Sequence, residues 1–85
     1  MTDPDPLIEF AAALRAVREA AGDVPSAELA QHAGIDESVL GAALSGGMLP
    51  SLGVTMAIVR ACGATPEGWE AKWREVAAAH LAAPA

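Results

Sequence analysis

Hydrophobic residues recur every three or four positions along most of the chain, and glycine and proline residues divide this pattern into five segments. In the first segment, from about Pro6 to Ala21, the hydrophobic residues form one apolar stripe, while the charged residues fall mainly on the opposite side. No segment shows the strict alternation of apolar and polar residues that marks a half-buried strand. The pattern therefore predicts five α-helices.

The boundaries of the three central helices are predicted from residues that favour helix starts and ends. Serine and aspartate accept hydrogen bonds from the first amides of a helix, and glycine ends a helix readily because it adopts positive φ. The residues predicted to begin these helices are Ser26, Asp36 and Ser51, and those predicted at or just beyond their ends are Gly34, Leu44 and Gly63. Residues 45–50 contain two glycines and a proline and are predicted to form a loop.

The fifth helix has the clearest predicted start. Thr65 is expected to be its N-cap, Pro66 its first helical residue and Glu67 a favourable charge in its first turn. Trp69 and Trp73 lie four residues apart, on one side of this helix. Because a small bundle with one phenylalanine and no tyrosine needs their apolar area, both are expected to pack onto the bundle.

Length and composition limit the number of domains. A chain of 85 residues can bury one modest core, which excludes a multidomain enzyme. Hydrophobic residues make up 53% of it and aromatic residues 4%, so small aliphatic side chains dominate and favour close helix packing. The predicted fold is an all-α, five-helix bundle over residues 6–80, with a flexible N-terminus at residues 1–5. Residues 81–85 are predicted to be a tail or the start of a linker.

The sequence also predicts a soluble protein of a reducing compartment. Cys62 is the single cysteine, so no disulfide can form within the chain. The N-terminus lacks the basic and apolar regions of a secretory signal, and no stretch reaches the roughly 20 apolar residues that a membrane span needs. We expect a cytoplasmic protein that does not bind membranes.

Candidate catalytic and metal-binding residues are few. Glu28 and His32 lie four residues apart on one helix, which suits half of a metal site, but the pattern places no third ligand near them. Cys62 has no predicted base beside it and is interpreted as a packed thiol. We therefore expect no enzyme activity, no cofactor, no bound metal and no small-molecule substrate.

Between residues 29 and 63, a short helix, a tight turn, a second short helix, a glycine loop and a further helix follow one another. The residues that define this order are Leu29-Ala30, Ala33-Gly34-Ile35, Ser38, Leu40, Leu44, Ser45-Gly46, Leu49-Pro50-Ser51 and Val59-Arg60-Ala61-Cys62-Gly63. The arrangement resembles the helix-turn-helix domains of the Cro/C1, or Xre, family. The later Pro66-Glu67, Trp69 and Trp73 are similar to an extension found in actinobacterial members. The resemblance implies a lambda-repressor-like core.

The resemblance also implies that the third helix, residues 36–44, would enter the major groove of DNA. This helix contains no Arg, Lys, Gln or Asn, the side chains that make bidentate contacts with purines. The chain carries eleven acidic and five basic residues, a net charge of -6 that would be repelled by phosphates. No Lys or Arg occurs between Arg18 and Arg60. The carboxylates in that interval are Glu19, Asp23, Glu28, Asp36 and Glu37.

These observations predict a non-catalytic regulatory module that binds a protein partner or another copy of itself, with DNA disfavoured by charge. The alternative is a sequence-specific DNA-binding regulator of the Xre type, in which a basic partner, a dimer or a longer chain supplies the missing phosphate contacts. The partner-binding, or degenerate DNA-reading, face is predicted to comprise Asp36, Glu37, Ser38, Gly41, Ala42, Ser45 and Met48.

Overall fold

Residues 5–82 are described by the computed structural model, and they form five α-helices and no strand. The helices are α1, Pro6–Ala20; α2, Ser26–Ala33; α3, Glu37–Ser45; α4, Leu52–Ala61; and α5, Trp69–Ala82. The predicted all-α, five-helix fold is confirmed. Within the segments predicted to flank the bundle, Asp5 caps α1 and α5 continues to Ala82. The rest of those segments, residues 1–4 and 83–85, lies outside the described residues.

The five helices pack around a shared core. α1 contacts both α3 and α5, α2 contacts α3 and α4, and α4 also contacts α5. Each helix contributes apolar side chains to the core, as the three- and four-residue spacing predicts. The largest contributors are Phe10, Leu14, Leu29, Leu40, Leu44, Ile58, Val59 and Val76.

The predicted N-cap residues of α2, α3 and α4 agree with the structure at α4, partly at α3 and not at α2. Ser51 caps α4 as predicted, because its hydroxyl oxygen accepts a 3.1 Å hydrogen bond from the Val54 amide. Asp36 occupies the N-cap of α3, but its carboxylate accepts no hydrogen bond from that helix. The predicted cap of α2 was wrong by one residue, since Ser26 is already helical and Pro25 is the N-cap.

The predicted start of α5 was wrong. Thr65, Pro66 and Glu67 precede the helix, which begins at Trp69. The Trp69 amide donates a 3.0 Å hydrogen bond to the Pro66 carbonyl and closes a four-residue turn. Within that turn Gly68 has a φ of 87°, which a right-handed helix does not allow, so the helix cannot start before it.

Both tryptophans hold α5 against the rest of the bundle, as predicted. The Trp69 ring packs edge-on against Phe10 of α1, with centroids 5.7 Å apart and an angle of 74° between the planes. The Trp73 indole donates a 2.7 Å hydrogen bond from Nε1 to the carbonyl of Pro50, in the loop before α4. These two contacts fix α5 to two separate parts of the chain.

Thr55 in α4 is a polar residue of the core that the hydrophobic pattern does not reveal. Its relative exposure is 0%, and its hydroxyl oxygen has no hydrogen-bond partner among the described residues. Burying a hydroxyl without a partner costs about 1–3 kcal/mol. The fold therefore tolerates a local defect at the centre of α4.

We expect Thr55→Val to stabilise the protein by ~1 kcal/mol, because valine keeps the branched shape and removes the unpartnered hydroxyl. Urea unfolding followed by circular dichroism measures the change in the free energy of unfolding. Thr65→Val, at an exposed loop position, is the control and should change it by less than about 0.5 kcal/mol. A destabilised Thr55→Val variant would mean that the hydroxyl finds a partner in solution.

Candidate functional site

The seven predicted face residues lie along the outer side of α3 and the loop that follows it. We call this surface, Asp36, Glu37, Ser38, Gly41, Ala42, Ser45 and Met48, the α3 face. All are exposed except Ala42, which is half-buried, whereas the opposite side of α3 is buried in the core. From Glu37 to Ser45 the helix rises about 12 Å, so the face is long enough to receive one or two turns of a partner helix.

The C-terminal end of the α3 face is a tightly hydrogen-bonded turn. The Ser45 hydroxyl donates to the Ala42 carbonyl at 3.2 Å and accepts from the Gly47 amide at 3.3 Å. Gly46 has a φ of 81°, the left-handed conformation that glycine adopts without strain. Ser45 is exposed, but its hydroxyl stabilises this turn and has less capacity left for a ligand than the sequence suggested.

Two exposed large hydrophobic side chains lie near this turn. Met48 is 48% exposed and Ile8 of α1 is 56% exposed. A Cβ built on Gly46 would lie 3.8 Å from Ile8 Cγ1, so α1 and the α3 turn are in close contact. Ile8 was not among the predicted face residues, because it is distant in sequence from α3 and single exposed apolar residues are common on protein surfaces. The α3 face thus has an apolar end next to the turn.

The N-terminal end of the α3 face is acidic. Asp36 and Glu37 are exposed at the start of α3, and Glu28 is exposed on α2. The Glu28 carboxylate lies 3.7 Å from Nε2 of His32 one turn later, in an exposed i,i+4 pair. Such a pair contributes about 0.3–0.5 kcal/mol when the histidine is charged. The start of α3 therefore carries two exposed carboxylates, and α2 carries a third, with no lysine or arginine between Arg18 and Arg60 in the sequence.

The two arginines of α1 donate hydrogen bonds to backbone carbonyls. Arg15 donates from Nη1 to the carbonyl of Leu44, in the last turn of α3. Arg18 donates a 2.7 Å hydrogen bond from Nε to the carbonyl of Val24, in the loop between α1 and α2. The Leu44 carbonyl is one that the end of α3 leaves open. Arg15 is exposed and Arg18 is half-buried, so the Arg15 charge lies beside the end of α3 and not at its acidic start.

Glu28, His32 and Cys62 are the residues that the sequence offered for metal binding or nucleophilic chemistry. Glu28 and His32 meet no further ligand, because residues 5–82 contain no group of three histidine, cysteine or acidic side chains close enough to hold a metal ion. Cys62 is half-buried at the end of α4 and packs against the core. Burial raises the pKa of its thiol, and the nearby Arg18 charge lowers it by less. Cys62 is thus a protonated, packed thiol at neutral pH.

None of the helices within residues 5–82 combines the length and the apolar character that crossing a bilayer requires.

The helix-turn-helix resemblance agrees with a family comparison. A sequence profile described as a helix-turn-helix domain matches residues 9–71, well over half of the chain. The chain belongs to this helix-turn-helix family. The match covers α2, α3 and α4 completely, with α2 and α3 forming the helix-turn-helix pair around Gly34. Residues 72–82 of α5 lie beyond it.

Comparisons with individual proteins add no closer relative of this helix-turn-helix protein. No curated protein matches the chain significantly, and no solved structure does so. Family membership therefore assigns a regulatory helix-turn-helix module, and the choice of its ligand depends on the chemistry of the α3 face.

The raised pKa of Cys62 predicts slow alkylation of the folded protein. Burial shifts this pKa above its ordinary value of 9.0, so at pH 9 iodoacetamide should react more slowly with the folded chain than with the urea-unfolded chain. The same shift stabilises the folded state below pH 9.0, and this contribution is lost as the pH rises through the raised pKa.

Mass spectrometry of quenched samples gives both alkylation rates, and Cys62→Ser is the unreactive control. In the Cys62→Ser variant the loss of stability above pH 9.0 should be smaller. Equal alkylation rates in the folded and unfolded proteins would contradict the buried position of the thiol.

Proposed function

We propose that this helix-turn-helix domain is a non-catalytic regulatory module whose α3 face binds a protein partner in place of DNA. The observation that carries the proposal is the charge of the face. Asp36 and Glu37 are exposed where a DNA-binding helix begins to read bases, and neither forms an ion pair within residues 5–82. Carboxylates at this position would approach the phosphates of both groove walls, and the repulsion opposes binding.

The positions of the five cations support this proposal. Arg15 and Arg18 donate to backbone carbonyls, and Arg74 pairs with a glutamate of its own helix at 2.9 Å. Lys72 lies over the ring of Trp69, 5.4 Å from the centroid, on the side of the bundle formed by α5. Arg60 is exposed in the last turn of α4. A DNA-binding domain that neutralises roughly 6–10 phosphates needs many more cations on one face.

The shape and polarity of the α3 face favour a protein surface. Gly41 and Ala42 in its middle have small side chains, so a partner backbone can approach closely. Met48 at one end adapts its flexible side chain to an apolar contact, and Ile8 extends that apolar area. The acidic start of α3 favours a partner that presents lysine or arginine there, whereas a second copy of the face would bring like charges together.

Sequence-specific DNA binding is the second candidate, and the family match favours it. In this case another chain, or another part of a longer chain, would have to supply the phosphate contacts. The two candidates differ in salt dependence, because DNA binding through phosphates weakens steeply as salt rises.

A DNA titration separates the two candidates. We expect the domain to retain no specific sequence from pooled genomic DNA fragments at physiological salt, and little DNA at low salt. The double variant Glu37→Arg with Ala42→Arg replaces negative by positive charge on the α3 face and should bind DNA weakly at low salt. For two new phosphate contacts, a plot of the logarithm of the DNA-binding constant against the logarithm of the salt concentration should have a slope of about -1.8. Sequencing of retained fragments and a salt series provide the measurements.

Glu75→Arg with Ala78→Arg on α5 is the matched control, because it makes the same charge change on an exposed helix outside the α3 face. It should create less retention than the α3 variant. Enrichment of one DNA motif by the unmodified domain at physiological salt would overturn the proposal and establish a DNA-binding regulator.

A protein partner isolated with the unmodified domain gives the positive test. Glu37→Arg and Ala42→Arg should each weaken its binding about tenfold or more, as expected when a repulsive charge or a large side chain enters an interface. Calorimetry measures the affinity, and circular dichroism checks that folding is unchanged. If both variants bind that partner as well as the original domain does, the α3 face is not its binding surface.

A further inference from the structure

A cleft of about 360 Å³ lies between α1 and α5, away from the α3 face. Its floor consists of Phe10 and Val76, which are 2% and 8% exposed and belong to the core. Ala13 and Ala79 line it with small side chains, which leave the space open. This volume lies in the range of sites that hold small ligands, which is about 300–1,000 Å³.

Charged side chains border this apolar floor. Glu9 of α1 and Glu75 of α5 place a carboxylate on each helix, and Lys72 is the third charged residue of the lining. The Lys72 ammonium lies over the Trp69 ring, and neither glutamate forms an ion pair within residues 5–82. The cleft therefore combines an apolar floor with a net negative rim.

The cleft lies partly outside the family match. Four of its lining residues named above, Lys72, Glu75, Val76 and Ala79, lie in the part of α5 beyond residue 71, where the match ends. The cleft therefore combines residues of α1 inside the helix-turn-helix match with residues of α5 beyond it.

We propose that the α1–α5 cleft binds a small organic cation with an aromatic or branched apolar group. The apolar group would cover Phe10 and Val76, and the cationic head would lie between Glu9 and Glu75. A neutral analogue would leave both carboxylates without an ionic partner, and an anion would be repelled by them. This site is separate from the α3 face, so its existence does not depend on the proposed function.

Titration with 2-phenylethylamine, followed by ¹⁵N NMR, tests the proposal. The Trp69 indole signal should shift because this ring packs on Phe10, while that of Trp73, which donates to Pro50, should change less. We expect weak, millimolar binding that declines as salt rises. Three matched probes vary the head group: 2-phenylethanol is neutral, phenylalanine is a zwitterion and 3-phenylpropionate is an anion. Each should bind at least about threefold more weakly than the amine.

Variants of the cleft give the second readout. Glu9→Gln with Glu75→Gln should weaken amine binding about fivefold, while Glu19→Gln, an exposed carboxylate elsewhere on α1, should leave it unchanged. Ala79→Leu fills the cleft and should reduce binding, whereas Ala78→Leu, its exposed neighbour outside the lining, should not.

Three results would overturn the proposal: no shift of the Trp69 signal at amine concentrations up to about 20 mM, equal affinity for the amine and the alcohol, or unchanged affinity for the amine in the double glutamine variant. Binding of an acetylated Leu-Lys amide peptide while the amine gives no shift would also overturn it, in favour of a segment of a partner protein.

Discussion

Backbone carbonyls that helix ends and loops leave open must find donors, and three long side chains meet this need here. Arg15 donates to the Leu44 carbonyl, Arg18 to that of Val24 and Trp73 to that of Pro50. A buried carbonyl without a partner costs about 1–3 kcal/mol, so these contacts hold α3, the loop before α2 and the loop before α4 in place. The same contacts affect the surface, because they tie two of the five cations to carbonyls away from the start of α3, where Asp36 and Glu37 are exposed.

What could be predicted from the sequence was local. The apolar spacing identified all five helices, and it placed Trp69 and Trp73 against the bundle. This was possible because the apolar side of a helix is formed by residues only three or four positions apart in the sequence. The predicted start of α5 was wrong. Thr65-Pro66-Glu67 has the residue types of a helix start, but the positive φ of Gly68 interrupts the helical conformation directly after it. The carbonyls that receive Arg15 and Trp73 are 29 and 23 residues away, and no periodic pattern encodes such contacts.

For the candidate site, the sequence predicts which residues are exposed but not which ligand they bind. The exposure of Asp36, Glu37 and Gly41 follows from the inward position of Leu40 and Leu44 on the same helix, so periodicity was sufficient to find it. The fold fixes where the second helix of a helix-turn-helix pair lies, but it does not fix what that helix carries. A domain can thus keep the geometry of a DNA reader while its outward residues favour another class of ligand.

α1 lies between the turn that ends α3 and the α1–α5 cleft, and its two sides are packed to different degrees. On one side, a Cβ at Gly46 would lie 3.6 Å from Ala11 Cβ, so α1 already rests closely on the turn that ends α3. On the other side, exposed Glu9 borders the cleft between α1 and α5, and buried Phe10 lies at its floor. A group that enters the cleft can press α1 toward α3 very little, because packed cores resist compression. The adjustment would therefore fall on the part of α5 after Trp73, where the cleft-lining residues Glu75 and Ala79 are exposed.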